Sequence, residues 1–118
     1  MSVAKKRPED FLPLSPTQMY ILLALAEEDL HGYGIMQNVK DRTDGRVKIG
    51  SGTLYSALDR MIEQGWIEET DPPKSPNTDE RRRYYHITPT GTKIAEAEAR
   101  RLLSTVKRAQ TLGLLGSF

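Results

Sequence analysis

The stretch "KIGSGTLYSALDRMIEQGWIEE", Lys48 to Glu69, joins a small-polar start, an amphipathic run, a glycine and a strand-like tail. On a helical wheel Leu54, Leu58, Met61 and Ile62 form one stripe, and Thr53, Ser56 and Arg60 point the other way. Ser51 is the expected N-cap, and Gly65 supplies a left-handed stop. A helix with one apolar stripe buries it and leaves the polar face for solvent or a partner. Ser51, Thr53 and Ser56 are small enough to let that face approach a duplex closely. Their hydroxyls can meet base edges or phosphates, Arg60 can reach phosphate or guanine, and the free amides near Gly50 to Thr53 can bind a phosphate. A plain solvated face has the same spacing, so the neighbouring segments must decide between the two.

Downstream, "WIEET" reads as a strand, "DPPKSPNTDER" as a proline-broken turn region and "RRYYHI" as a second strand, which makes a hairpin with a long tip. Thr88-Pro89 opens a further helix by N-cap and first-turn proline. Upstream, Ser15-Pro16-Thr17-Gln18 has the form of a capping box with proline at the first helical position. The helix it starts runs to about Glu28, with Met19, Leu22, Leu23 and Ala26 at helical spacing. "LHGYGIMQNVKDRTDG" breaks at Gly32 and Gly34 and then sets Ile35, Met36 and Val39 on one face of a short second helix.

The order helix, helix, helix, strand, strand, helix is that of a winged helix-turn-helix, mainly α with a small β-hairpin (α+β). Lys48–Glu69 then holds the recognition helix and the first wing strand. We divide the chain into an N-terminal arm at 1–13, a DNA-binding domain at 14–88, and a C-terminal dimerisation helix and tail at 89–118.

Composition narrows the chemistry. A chain of 118 residues fits one domain and can bury a core without cross-links. With no cysteine and two histidines there is no disulfide framework, no thiolate nucleophile and no Cys-based zinc site. His31 and His86 lack metal-ligand spacing, so neither a metal nor a cofactor is expected. A phosphate loop, a nucleophile elbow and a convergent carboxylate pair are missing, which argues against an enzyme. The charged start "MSVAKKRPED" has no signal-peptide apolar region and "MYILLALA" is too short to span a bilayer, so a cytoplasmic protein without membrane contact is expected.

The net charge of +1 hides local clusters at Lys5, Lys6 and Arg7 and at Arg81, Arg82 and Arg83. The second cluster lies where the wing tip returns to its strand, where guanidinium groups can pair with phosphates. Tyr84 and Tyr85 alternate along the strand, so one is expected on the core and the other, Tyr84, beside the nucleic acid. "KKR" is either an arm along the backbone or a solubilising tail. A small-polar helix face beside a basic wing favours double-stranded DNA over a protein-interaction module, which would expose apolar residues there.

"LSPTQMYILLALAEEDLHGYGIMQNV", "GSGTLYSALDRMIEQGWIEE" and "RRRYYHITPTG", in that order, resemble the PadR family of bacterial transcriptional regulators across about residues 14–91. "HGYGI", "GTLYSAL", "GWI" and "RRYYHITPTG" are the specific pieces. The resemblance implies a homodimeric repressor on a pseudo-palindromic operator. It maps DNA-facing positions onto Ser51, Thr53, Tyr55, Ser56 and Arg60, with Arg82 and Arg83 on the wing; by wheel position Tyr55 is expected to be partly packed. The MarR and ArsR types, respectively longer and often carrying metal-site Cys or His, are the other winged-helix readings.

The single tail helix groups this chain with short-tailed relatives. Ala95, Ala99, Leu102, Val106 and Ala109 run at 4, 3, 4, 3 spacing, a seam a second subunit can bury. The alanines make that seam thin, so helix one or "FLPL" is expected to join it. A small-molecule effector is a candidate partner, with Trp66 or Tyr20 beside the dimer groove as its expected place.

Overall fold

A computed structural model describes residues 6–76 and 78–116. A short 3-10 turn at Pro8–Phe11 leads into α1 (Pro16–Glu27), β1 (Leu30–His31), α2 (Gly32–Arg42), α3 (Ser51–Glu63), β2 (Ile67–Thr70), β3 (Tyr84–Ile87) and α4 (Pro89–Thr111). The chain is therefore a winged helix-turn-helix of four helices with a three-stranded antiparallel sheet in the order β1-β3-β2.

Two of the four helix starts, those of α1 and α4, follow the expected capping signals. Ser15 Oγ accepts the Gln18 N–H at 3.1 Å and Gln18 Oε1 accepts the Ser15 N–H at 2.9 Å, closing the expected box. Thr88 Oγ1 accepts the Gly91 N–H at 3.1 Å at the head of α4. At α3 the cap is Gly50 rather than Ser51: Gly50 is extended, Ser51 is the first helical residue, and no side chain bonds the first turn. At α2 the cap is His31, whose Nδ1 accepts the Gly34 N–H at 2.9 Å, so Gly32 and Gly34 lie inside the first turn instead of breaking the helix.

The stripe of α3 is buried as expected. Leu54, Leu58 and Met61 are fully covered by Ile21, Leu22, Ile35, Trp66, Ile67 and Ile94 in one core, with Ile62 at its edge. The buried face of α1 is Ile21, Leu22, Ala24 and Leu25, whereas Leu23 and Ala26 are exposed. A helix apolar on every side has no stripe, so periodicity alone did not select the face.

The strand β1 was not expected. Its two residues pair with β3 (Leu30 with Tyr85, His31 with Tyr84), while β2 pairs on the other side from Ile67–Ile87 to Thr70–Tyr84. The second wing strand is thus central to the sheet. Gly65, at φ +79°, makes the turn from α3 into β2.

The segment "FLPL" joins the core of the chain itself: Leu14 is buried, Leu12 packs on the core, and Phe11 meets the Trp66 ring edge-on at 5.3 Å. The tie that holds it is Glu98 of α4, only 2 % exposed, which accepts the Leu14 N–H at 2.7 Å and pairs with Arg101. Arg101, and after it the Leu14 N–H, hold this carboxyl below its ordinary value against the opposing effect of burial. A depressed carboxyl contributes its full stability above the unfolded value and loses it as pH falls through the folded one. Glu98→Gln is therefore expected to cost about 1–2 kcal/mol at neutral pH and to shrink the acid-dependent loss of stability. Urea unfolding at neutral and acid pH measures both, and an unchanged acid limb would contradict this role.

Candidate nucleic-acid interface

The outward face of α3 carries Ser51, Thr53, Tyr55, Ser56 and Arg60, all exposed. Thr53, Ser56 and Arg60 line a groove of about 470 Å³ between α3 and the start of α1, completed by Ser15, Thr17 and Gln18. The sequence reading missed Thr17 and Gln18 as members of this face. It used Gln18 only as a capping residue, and nothing in the spacing shows that α1 begins beside α3.

On the other flank of α3 a cleft of about 490 Å³ separates it from the wing. Tyr55 and Asp59 of α3, Arg82 and Arg83 of the wing, Tyr85 of β3, and His31 and Gly32 at the head of α2 line it. The structure thus joins Tyr55 to the two wing arginines. Tyr55 is 46 % exposed, with its ring resting on Gly32, so it is partly packed as its position at the stripe edge suggested.

The wing arginines already have acidic partners. Arg81 Nε and Arg82 Nε lie 3.4 and 3.2 Å from the two oxygens of Asp79, and Arg83 Nη1 lies 3.3 Å from Glu69 Oε1. The Arg81 backbone N–H, ahead of the arginine side chains, holds the Asp79 carboxyl below its ordinary value. Exposed pairs of this kind are worth at most about 1 kcal/mol, so a phosphate can compete for the guanidinium groups. Arg82 also lies over the Tyr33 ring, 5.4 Å from its centre, and Tyr33 stacks on His31. Burial, then the Arg82 charge, pushes the His31 imidazole down, which suits the neutral ring its capping bond requires.

Tyr84 corrects the expected alternation. Both tyrosines are buried, Tyr84 at 6 % exposure, because β3 is central and both faces are covered. The Tyr84 ring takes His31 edge-on at 5.2 Å and its hydroxyl accepts the Asp79 N–H at 3.2 Å. It holds the wing tip in place and is withdrawn from the outward surface.

A family model, the transcriptional regulator PadR-like family, matches residues 21–97. The chain belongs to the PadR-like family of transcriptional regulators. A transcriptional regulator from Clostridium thermocellum superposes with a TM-score of 0.66 at 32% identity, covering 80% of this chain and 87% of that one. A PadR-like transcriptional regulator from Bacillus cereus gives 0.68 at 26% identity, covering 85% and 92%. The uncharacterized 37.1 kDa protein in transposon TN4556 of Streptomyces fradiae is 33% identical over 82 residues, 70% of this chain but only 21% of that protein. PadR-like regulators are DNA-binding transcription factors and not enzymes, and membership of this family replaces the MarR-like and ArsR-like readings.

In this PadR-like regulator the buried residues of α4 are Gly91, Ile94, Ala97 and Glu98, all in its first half. Of the expected seam, Ala95 packs against the core, Ala109 is half-buried, and Ala99, Leu102 and Val106 are exposed. Leu103, Leu112, Leu114 and Leu115 are exposed as well. Leu102 also lines a groove of about 330 Å³ with Met19, Tyr20 and Leu23 of α1. Tyr20 is therefore at the mouth of this groove, whereas Trp66, expected beside it, is buried under Phe11.

At the N-terminus, Lys6 lies over the Phe11 ring at 5.2 Å and Arg7 is exposed; Lys5 is outside the described residues. His86 Nδ1 lies 2.6 Å from Asp29 Oδ1, so each histidine has a structural partner. Among the described residues no group of three or more acidic or imidazole side chains could hold a metal ion, and no helix is long and apolar enough to cross a membrane.

Proposed function

We propose that this PadR-like regulator is a homodimeric, cytoplasmic repressor that recognises a pseudo-palindromic operator in double-stranded DNA. The observation that carries the reading is that the exposed face of α3 lies between two grooves, one lined by Thr53, Ser56 and Arg60 and the other joining Tyr55 to the wing residues Arg82 and Arg83. In this reading Thr53, Ser56 and Arg60 face base edges, Ser51 and Tyr55 face phosphates, and Arg82 and Arg83 lie along the flanking backbone. Two copies, related by a two-fold axis along the exposed half of α4, set their α3 helices about 34 Å apart, one turn of B-DNA. Ala99, Leu102, Val106 and Ala109 supply the seam, widened by Leu23 and Tyr20. Occupied promoter sites then exclude transcription, and the groove between α1 and α4 is the place for an apolar effector.

Selection from a random duplex library by the purified protein, followed by anisotropy titration of the winner, tests this. The expected result is a two-fold-symmetric motif bound by two subunits about 10³-fold or more tighter than random DNA. Weak, sequence-indifferent binding would instead favour a winged helix used for protein contacts.

Arg82→Ala combined with Arg83→Ala is expected to lower the slope of log affinity against log salt by about 0.9 per lost phosphate contact, hence by about 1.8 per protomer. Affinity for the motif and for random DNA should fall in similar proportion, since backbone contacts carry no base information. A salt slope equal to that of the parent protein would remove the wing from the interface.

A further inference from the structure

Gly32 and Tyr55 meet where α2, α3 and the wing converge. A β-carbon built on Gly32 would lie 2.4 Å from the Tyr55 phenolic oxygen, 2.8 Å from Cζ and 3.1 Å from Cε1. Gly32 is buried, although the ring that covers it is half exposed. The Tyr55 side chain thus leaves α3 and lies across the first turn of α2, leaving no room for any side chain there.

Backbone conformation does not account for this glycine. The positive-φ glycines are Gly45, Gly65, Gly113 and Gly116, and Gly32 is not among them. At an ordinary helical φ, alanine is favoured over glycine by up to about 1 kcal/mol of helix propensity. What alanine meets at position 32 is the tyrosine ring.

We propose that Gly32 is a positioning residue for DNA recognition, a seat that holds Tyr55 against the head of α2 and so sets the angle between the recognition helix and the wing. Three observations support the link to recognition. Tyr55 and Gly32 line the same cleft as Arg82 and Arg83. The neighbouring cap residue, His31, pairs with Tyr84 of the central wing strand, so the head of α2 and the wing are one hydrogen-bonded unit. Tyr55 also shares that cleft with Tyr85 of the same strand, whose hydroxyl burial first, and the Tyr55 hydroxyl next, push up. Moving the ring therefore changes the spacing between α3 and the wing without touching a base-facing side chain. The inference rests on the DNA-binding reading above and adds a residue inside the protein that tunes it.

The test is a double-mutant cycle on the full chain with Gly32→Ala, Tyr55→Ala and the combined variant, with Tyr55→Phe as the conservative control. Each is measured by urea unfolding and by anisotropy on the selected motif and on random duplex. Gly32→Ala is expected to lower the ratio of specific to random affinity about tenfold or more while the protein stays folded, because a half-exposed ring can swing aside. In the Tyr55→Ala background the same substitution should leave the ratio unchanged and no longer cost stability, gaining up to about 1 kcal/mol of helix propensity instead, a coupling within the usual range for contacting residues. Tyr55→Phe should preserve the sensitivity to Gly32→Ala, since the ring remains.

Two results overturn the proposal: an equal effect of Gly32→Ala with and without Tyr55, or a stability loss at unchanged affinity ratio. A wild-type protein that shows no preference among duplexes sinks the DNA-binding reading and the positioning role together. The unfolding cycle then still reports whether the two residues are coupled, so the two failures are distinguishable.

Discussion

Replacement of Gly91 by alanine is expected to cost at least about 3 kcal/mol and to abolish most folded protein under conditions where the parent is stable. The added β-carbon would lie 2.0 Å from the Trp66 carbonyl oxygen, 2.9 Å from its carbon and 3.1 Å from Ile87 Cγ1. Unlike the tyrosine over Gly32, the obstacle here is backbone, which cannot rotate away. The same oxygen accepts the Thr88 N–H and the Thr88 hydroxyl, both at 3.0 Å, and Thr88 in turn caps α4. Displacing it loosens the exit from α3, the last residues of β3 and the start of α4 at once. Gly65→Ala is the internal comparison: its φ of +79° disfavours a side chain, but nothing lies within 4 Å, so a loss nearer about 1 kcal/mol is expected. Urea unfolding of the two variants checks both, and similar costs would mean that the close approach to Trp66 relaxes cheaply.

The second large effect concerns α4. Leu102→Asp with Val106→Asp should convert the protein to a monomer and weaken binding to a two-half-site duplex by about 10²–10³, because the second half-site is no longer reached intramolecularly. Both side chains are about 40% exposed (42% and 41%) and make no part of the protomer core, so the stability of the folded protomer should change little. The helix has 23 residues, about 35 Å, and its own domain covers only the first part, which leaves an apolar row that water meets unless a partner covers it. Light scattering together with anisotropy on single and paired half-sites reads the outcome. A persistent dimer would place the two-fold axis elsewhere, and an unweakened monomer would remove the need for paired half-sites.

Several features were legible because their causes are local. Ser15 with Gln18 and Thr88 with Pro89 mark helix starts through bonds within three residues, and the structure contains both caps. The α3 stripe reads cleanly because its other faces are polar, and Gly65 ends it with a left-handed residue. The family resemblance drew on residues 14–91, most of which the family match covers from residue 21 to 97.

What escaped the sequence reading depends on partners far along the chain. The two residues of β1 are too few to show alternation, and they are strand only because β3 offers an edge 55 residues away, from Leu30 to Tyr85. That pairing makes β3 central, which buries Tyr84 as well as Tyr85 and takes one expected contact off the surface. The face α1 buries was undetermined in a run that is apolar all round, and the core chose it.

By itself the sequence determined the starts of α1 and α4, the recognition stripe, the hairpin and the family, since these follow from hydrogen bonds and periodicities within a few residues. Only the tertiary structure decided which outward residues share a cleft, which apolar residues remain uncovered, why Gly91 must lack a side chain and what a side chain at Gly32 would displace. A steric limit of that kind belongs to the residue that approaches from elsewhere in the fold, Tyr55 in one case and the Trp66 carbonyl in the other.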